Sequence, residues 1–247
     1  RFATEVPMKL TNKTIIVVGA TGGIGRVLCH EFYNHGANVV LVARTREKLE
    51  DLQVSMGIGQ ERTLVIPADA TSVADMEKVF RAAGKKFGKV HTLVISAGTW
   101  KRLSVDDTAP QASASFEELY KSIFLPTAIA GFVGQKFFRR QGEGFIVNIS
   151  SHAAIRPHLK GNLSYGAMKA AARHYMLSLR AELCNTGVKV CDLQPAIVNT
   201  PENGQFLATK EQREKAVQPE TIAKWIIKFI DYPHVPAEKL FDSDVVL

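Results

Sequence analysis

Near its start the chain passes from Ile15-Ile16-Val17-Val18 into Gly19-Ala20-Thr21-Gly22-Gly23-Ile24-Gly25, then into a helical pattern over Arg26–Asn34. A short β-branched run with no polar alternation reads as a buried parallel strand. Glycines let a backbone approach a ligand closely, and a helix N-terminus presents unpaired N–H groups and partial positive charge. Strand, glycine loop and helix in this order form a phosphate-binding arrangement. The spacing is G-x-x-x-G-x-G rather than the commoner G-x-G-x-x-G. A tight strand-to-helix turn without a ligand is the alternative reading. Leu28, Phe32 and the aliphatic part of Val27 give the helix an apolar face.

The same rhythm continues. Asn38–Val42 reads as a second strand, followed by Ala43-Arg44-Thr45-Arg46 and a helix from Glu47 to about Ser55. Leu64–Ile66 is a third strand leading to Asp69-Ala70. A helix runs from Ser72 through Phe87, capped by Ser72 or Thr71, with Met76, Val79 and Phe80 inward. Val90–Ile95 is a fourth strand ending in Ser96-Ala97-Gly98. Residues 99–115 read as a polar loop containing Pro110. Helices follow from about Phe116 to Leu125 and on to Arg140, with Pro126 a point of kinking. Phe145–Ser151 is a fifth strand. A helix carrying Tyr165 and Lys169 runs to about Cys184, and Val188–Leu193 is a sixth strand leading to Pro195–Pro201. Residues 202–216 read as a polar helix or lid. Pro219 opens a helix to Phe229 or Ile230, and Lys239–Phe241 is an edge strand. Alternating strands and helices predict an α/β fold: one doubly wound parallel sheet with helices on both faces. With no repeat or linker in 247 residues, a single domain over 8–247 is expected. Residues 1–7 precede Met8 and read as an extension.

The end of the second strand is where a dinucleotide's adenosine ribose lies in such a fold. An acid there favours NAD and a base favours NADP. Here no acid is present, Ala43 leaves space, and Arg44 and Arg46 are basic, which argues for NADP(H). A solvated loop arginine is the alternative. Tyr165 and Lys169, four residues apart, share one helix face. An ammonium beside a phenol stabilises the phenolate, so the spacing predicts a Tyr165 pKa lowered toward neutrality and a proton-transfer role. A core tyrosine beside a solvated lysine is the bland reading.

Net charge is +7, but the basic residues are interleaved with acids, as in Lys210–Lys215, so a nucleic-acid partner is not expected. The longest uncharged stretch, residues 122–135, is too short to span a bilayer. No signal peptide is expected. Cys29, Cys184 and Cys191 have no metal-like spacing, no metal is expected, and they read as reduced thiols in a cytoplasmic protein.

Taken together, Gly19, Gly23, Ile24 and Gly25, then Asp69, Ala97-Gly98, Ser151, Tyr165 with Lys169, and Pro195 with Val198 and Thr200 make the chain resemble the short-chain dehydrogenase/reductase family, from about Leu10 to Phe241. The resemblance implies a Rossmann-like fold. It implies an NADP(H)-dependent oxidoreductase that moves hydride between nicotinamide and a small carbonyl or alcohol. Tyr165 would be the general acid, Lys169 its tuner and ribose ligand, and Ser151 the donor to the substrate oxygen. Cofactor contacts would come from Gly19, Thr21, Gly23, Ile24, Gly25, Arg44, Asp69 at adenine, Ala70, Ala97, Gly98, Tyr165, Lys169, Pro195, Ile197 over one ring face, Val198 and Thr200.

The resemblance further implies a homodimer or homotetramer, with Phe132, Phe137, Phe138, Tyr175 and Leu179 available for burial. Three departures stand out. Ile95-Ser96 replaces the usual asparagines of the fourth strand. Ser122 or Ile123 stands where the family has a catalytic asparagine. Ser151 lies fourteen residues before Tyr165, where thirteen would give His152. The lost asparagines support a second reading, a dinucleotide-binding sensor or scaffold with weak or no turnover.

Overall fold

The computed structural model describes residues 9–57, 60–156 and 160–243. Residues 1–7, expected to be an extension, lie outside the described residues. Five buried residues, Thr14–Val18 (β1), form an inner strand of a seven-stranded sheet. On either side lie Asn38–Ala43 (β2), Thr63–Pro67 (β3), Thr92–Ile95 (β4), Gly144–Ile149 (β5), Val188–Pro195 (β6) and Glu238–Phe241 (β7). The order is β3-β2-β1-β4-β5-β6-β7 and every pairing is parallel. This is the expected doubly wound Rossmann-like sheet.

Alternation along each strand sends residues to opposite faces. Ile15 and Val17 pack with Leu28, Phe32 and Ile226 on one face, under helices Gly23–Asn34 (α1), Arg46–Ser55 (α2) and Pro219–Ile230 (α8). Ile16 and Val18 pack with Val79, Phe80, Phe138 and Met176 on the other. That face lies under Val73–Phe87 (α3), Leu125–Gln141 (α5) and Leu163–Glu182 (α6). Lys210–Lys215 (α7) is a short helix in the segment expected to be a lid. Among the described residues no helix is long and apolar enough to cross a membrane.

Three expectations need correction. The polar stretch 99–115 is not wholly loop: Ala109–Leu119 (α4) begins inside it. Thr108 accepts from the Gln111 amide, Gln111 reciprocates, and Pro110 sits in the first turn, where its missing N–H is harmless. The run from α4 to α5 does not kink at Pro126; a π-helical turn over Tyr120–Phe124 precedes it. Finally, Phe138 and Leu179 are not free for subunit contacts, because both are core residues beneath the sheet. Phe132 is 49% exposed, and Tyr175 packs at the edge of the same core.

Candidate active site

Strand order reverses between β1 and β4, which opens a crevice at their carboxyl ends, the place where open α/β sheets bind ligands. Gly19 leaves β1 with φ +82°, a conformation costly for any other residue. A Cβ there would lie 2.8 Å from the Ser96 carbonyl and 2.9 Å from the Ala97 nitrogen. The glycine turn is therefore pressed onto the end of β4. Helix α1 starts at Gly23, three residues before the helical pattern predicts, so Gly23, Ile24 and Gly25 form its first turn. Its N-cap, Gly22, offers no side chain to the first N–H groups.

Facing that end are Thr200 and Glu202, from the segment after β6. A Cβ on Gly23 would lie 2.6 Å from Thr200 Cβ and 2.2 Å from Glu202 Oε2. A carboxylate thus faces the positive end of α1, the favourable arrangement for any anion there.

Helix α6 carries Tyr165 and Lys169 into the same crevice. Lys169 is 6% exposed; its Nζ lies 5.9 Å from the Tyr165 ring centroid and donates to the Ile149 carbonyl at 2.9 Å. Burial disfavours its charge and lowers its pKa to about 8, while Asp192 pulls the other way. The expected lowering of Tyr165 is overturned. Burial raises the phenol's pKa, and only the hydrogen-bonded Ser151 side chain opposes it. The reason is geometric: the ammonium is turned to a strand carbonyl, and removing a phenolate from water is the larger effect. Tyr165 is accordingly a protonated phenol at neutral pH, a proton donor. Ser151 also accepts from the Ala153 amide at 3.2 Å, which fixes its side chain at the end of β5. His152 turns away, its Nε2 3.5 Å from Asp242. Geometry therefore favours Ser151 over His152 beside Tyr165.

The π-helical turn explains what stands where an asparagine was looked for. Ser122 points to Thr99, with the two hydroxyls 3.3 Å apart. Ile123 is 1% exposed and points inward: a Cβ on Gly98 would lie 3.2 Å from its Cγ1 and 3.5 Å from Lys169 Nζ. The turn thus presents the Ile123 side chain and, 3.8 Å from that Cβ, the Ser122 carbonyl toward this side of the site.

A cavity of about 460 Å³ joins these groups. Of the residues read from the sequence, Ile24, Ala97, Gly98, Ser151, Tyr165, Lys169, Pro195 and Val198 line it. Gly19, Gly23, Gly25 and Thr200 do not line it, but a Cβ on Gly19 would meet the lining residues Ser96 and Ala97, and one on Gly23 the lining Glu202. Ile197 does not line it: its carbonyl accepts the Val217 amide, and Ala196 holds the lining position. Thr21, Arg44, Asp69 and Ala70 also lie outside this lining. Asp69 accepts from the amide and hydroxyl of Thr71 at the end of β3. Arg44, exposed at the end of β2, makes no hydrogen bond or ion pair among the described residues, whereas Arg46 pairs with Glu50 at 3.3 Å.

Sequence reasoning missed the outer wall: Trp100, Asn203 and Gln205. The Trp100 indole donates to Asn162 at 2.8 Å and meets Phe206 edge-on, with centroids 5.0 Å apart.

A glycine turn at the sheet's crossover, with a buried lysine and a partly buried tyrosine and serine in front of it, defines an oxidoreductase site, and the chain belongs to the short-chain dehydrogenase family. That family's model matches residues 13–211. Its relatives include an uncharacterised oxidoreductase of Staphylococcus aureus (strain USA300), 28% identical over 94% of this chain and 96% of the relative. A short-chain type dehydrogenase/reductase from Mycobacterium ulcerans superposes with TM-score 0.83 at 21% identity, covering 94% of this chain and 88% of that one. A 3-ketoacyl-(acyl-carrier-protein) reductase from Brucella melitensis, complexed with NADH, superposes with TM-score 0.81 at 23% identity. It covers 94% of this chain and 96% of that one.

Proposed function

We propose that the protein is an NADP(H)-dependent reductase of a small carbonyl substrate, with Tyr165 as the proton donor. One observation carries the reading: Ser151, Tyr165 and Lys169 share a cavity with the first turn of α1. The residues present fit a nicotinamide dinucleotide. The Gly19 turn leaves no room for a side chain, the N–H groups of α1 lack a side-chain cap, and the cavity runs from there to the phenol. Gly22 to Gly25 and Thr200 would hold the diphosphate. Ala97, Gly98 and Lys169 would meet the nicotinamide riboside, and Asp69 and Ala70 the adenine end.

When bound, the reduced cofactor supplies a hydride to the carbonyl carbon. The Ser151 hydroxyl and the Tyr165 phenol converge on the carbonyl oxygen, and Tyr165 delivers its proton there as negative charge develops. The cation at Lys169 stabilises the phenolate left behind. Because burial keeps Tyr165 protonated, the phenol is ready to act as the acid in the reductive direction.

The 2′-phosphate preference rests on Arg44, which stands unpaired at the end of β2. NADPH and NADH oxidation should be followed against a panel of aldehydes and ketones. We expect NADPH to be preferred, and Arg44→Ala to lose at least about tenfold in NADPH affinity with little change for NADH. Equal binding of both cofactors by the unaltered protein sinks the specificity claim. Ile123, apolar where a relay group would stand, supports the second reading of a dinucleotide-binding protein with weak turnover. Binding of NADPH without consumption across the panel would select it.

Glu202 bears on affinity. Its carboxylate occupies the approach to the α1 N-terminus and would repel a diphosphate there. Glu202→Gln should tighten NADPH severalfold by calorimetry, with the gain shrinking in high salt. Unchanged affinity would show that the side chain swings clear at no cost.

The exposed Phe132 on α5 and, earlier in the same helical run, the exposed Phe116 and Tyr120 are apolar side chains available for self-association as a homodimer or homotetramer. The three cysteines are unpaired, which fits the reducing, cytoplasmic setting expected for such an enzyme.

A further inference from the structure

Lys169 is a buried cation that, among the described residues, donates to one strand carbonyl, with the Ile123 side chain on the turn beside Gly98. A buried charge is costly unless another charge compensates it. The carboxylate that acts on it is Asp192, in the middle of β6 and fully buried. Asp192 accepts from Asn148 Nδ2 at 2.6 Å, from the Ser150 hydroxyl and from Gln194 Nε2 at 3.3 Å. Ser150 lines the same cavity as Lys169. Gln194 also donates to Glu238 on β7, and Glu238 is held by Arg173 of α6. A continuous polar chain therefore leaves the cavity wall at Ser150, passes through Asp192 and Gln194, and reaches the partly exposed Arg173–Glu238 pair at the sheet edge. Burial raises the Asp192 pKa; the three neutral donors, and after them the Lys169 charge, pull it back toward the carboxylate.

We propose that Asp192 is a positioning residue: its buried carboxylate, bound to Ser150 beside the carbonyl that Lys169 holds, is the counter-charge that favours the Lys169 ammonium in the cavity, anchored to the sheet edge through Gln194 and Glu238. This rests on the reading of Lys169 as the cation that supports proton transfer from Tyr165. It assigns to β6 a task that the π-helical turn, with Ile123 facing inward, does not perform. The titratable and charged groups around the pair are Tyr165 on the same helix, Glu202 across the cavity, and the Arg173–Glu238 pair beyond Gln194. Strand β5 contributes only the neutral Asn148 and Ser150, and the π turn only Ser122 and Ile123.

The sign follows from the charges. Asp192 raises the Lys169 pKa against the effect of burial, so neutralising it lets the lysine lose its proton at lower pH. In protein carrying ¹³C-labelled lysine, the Lys169 signal (identified by its absence in Lys169→Met) should titrate near pH 8. In Asp192→Asn that midpoint should fall by about one pH unit, and the alkaline limb of kcat/KM should fall with it. Asp192→Ser, which is smaller and still accepts a hydrogen bond, reads the same midpoint if the asparagine variant does not fold. A Lys169 midpoint unmoved in a folded variant overturns the proposal. The titration needs no turnover, so a protein that fails to reduce any carbonyl defeats the functional reading while the Asp192 assignment is still decided.

Discussion

Replacing Tyr165 by phenylalanine should cost about 10²- to 10⁴-fold in kcat and leave NADPH affinity within about twofold of the unaltered protein. The ring of Tyr165 is partly buried on α6 and packs with Ile123 and Met168, so its packing survives the change and only the hydroxyl is lost. That hydroxyl is the one protonated acid in the cavity whose partner, Ser151, can address the same substrate oxygen. Lys169 does not replace it, because its Nζ is committed to the Ile149 carbonyl. A loss confined to kcat with unchanged binding is the mark of a group used in the transition state. Steady-state kinetics of the variant beside fluorescence titration with NADPH make the comparison. Full activity in Tyr165→Phe would end the assignment of Tyr165 as the acid. The pH profile adds a second check: because the Lys169 pKa lies at about 8, activity that needs its cation should decline above that pH.

How much of this was legible beforehand depends on whether a property is local. The glycine turn, the strand ends and the Tyr165–Lys169 spacing are local, and each landed at the carboxyl edge of the sheet as the strand–helix alternation requires. The sign of the Tyr165 shift is not local. Spacing placed a cation one turn away, but burial, which belongs to the whole fold, reversed the result. The capping box at Thr108 and Gln111 was present in the sequence, yet Pro110 reads equally as a loop residue and as the first turn of a helix.

Phe138 and Leu179 look like Phe132 in sequence; only the packing of α5 and α6 against β5 and β6 separates core from surface. Asp192 left a signal that went unread. A carboxylate between Cys191 and Leu193, inside an otherwise apolar strand, is expensive unless something nearby needs a negative charge. The outer wall at Trp100 and Gln205 had no such signal, because loops meet only after the strands have placed them.

The glycine turn, where the chain's fold and chemistry meet, supplies the other large effect. Gly25→Ala should destabilise the protein by about 3 kcal/mol or more, a sizeable share of a typical domain's stability of about 5–15 kcal/mol, and should abolish detectable dinucleotide binding. The added Cβ would lie 2.1 Å from the Gly19 carbonyl oxygen and 2.9 Å from its carbon. Both are backbone atoms, so no side-chain rotation relieves the clash. Gly19 cannot retreat, because it already sits at positive φ against the end of β4. Relief must come from moving the first turn of α1 away from the strand, which turns its free N–H groups out of the cavity.

Gly22→Ala is the internal control. Its φ is −76°, and a Cβ there meets only the Gly19 oxygen at 3.5 Å, an ordinary contact, so its stability should match that of the unaltered protein. Denaturant melts of the two variants, with NADPH titration of whichever fold, separate a strict backbone requirement from a general preference for small residues. Equal stability of Gly25→Ala and Gly22→Ala would mean that the close approach of α1 to β1 is not what builds the phosphate end of the site.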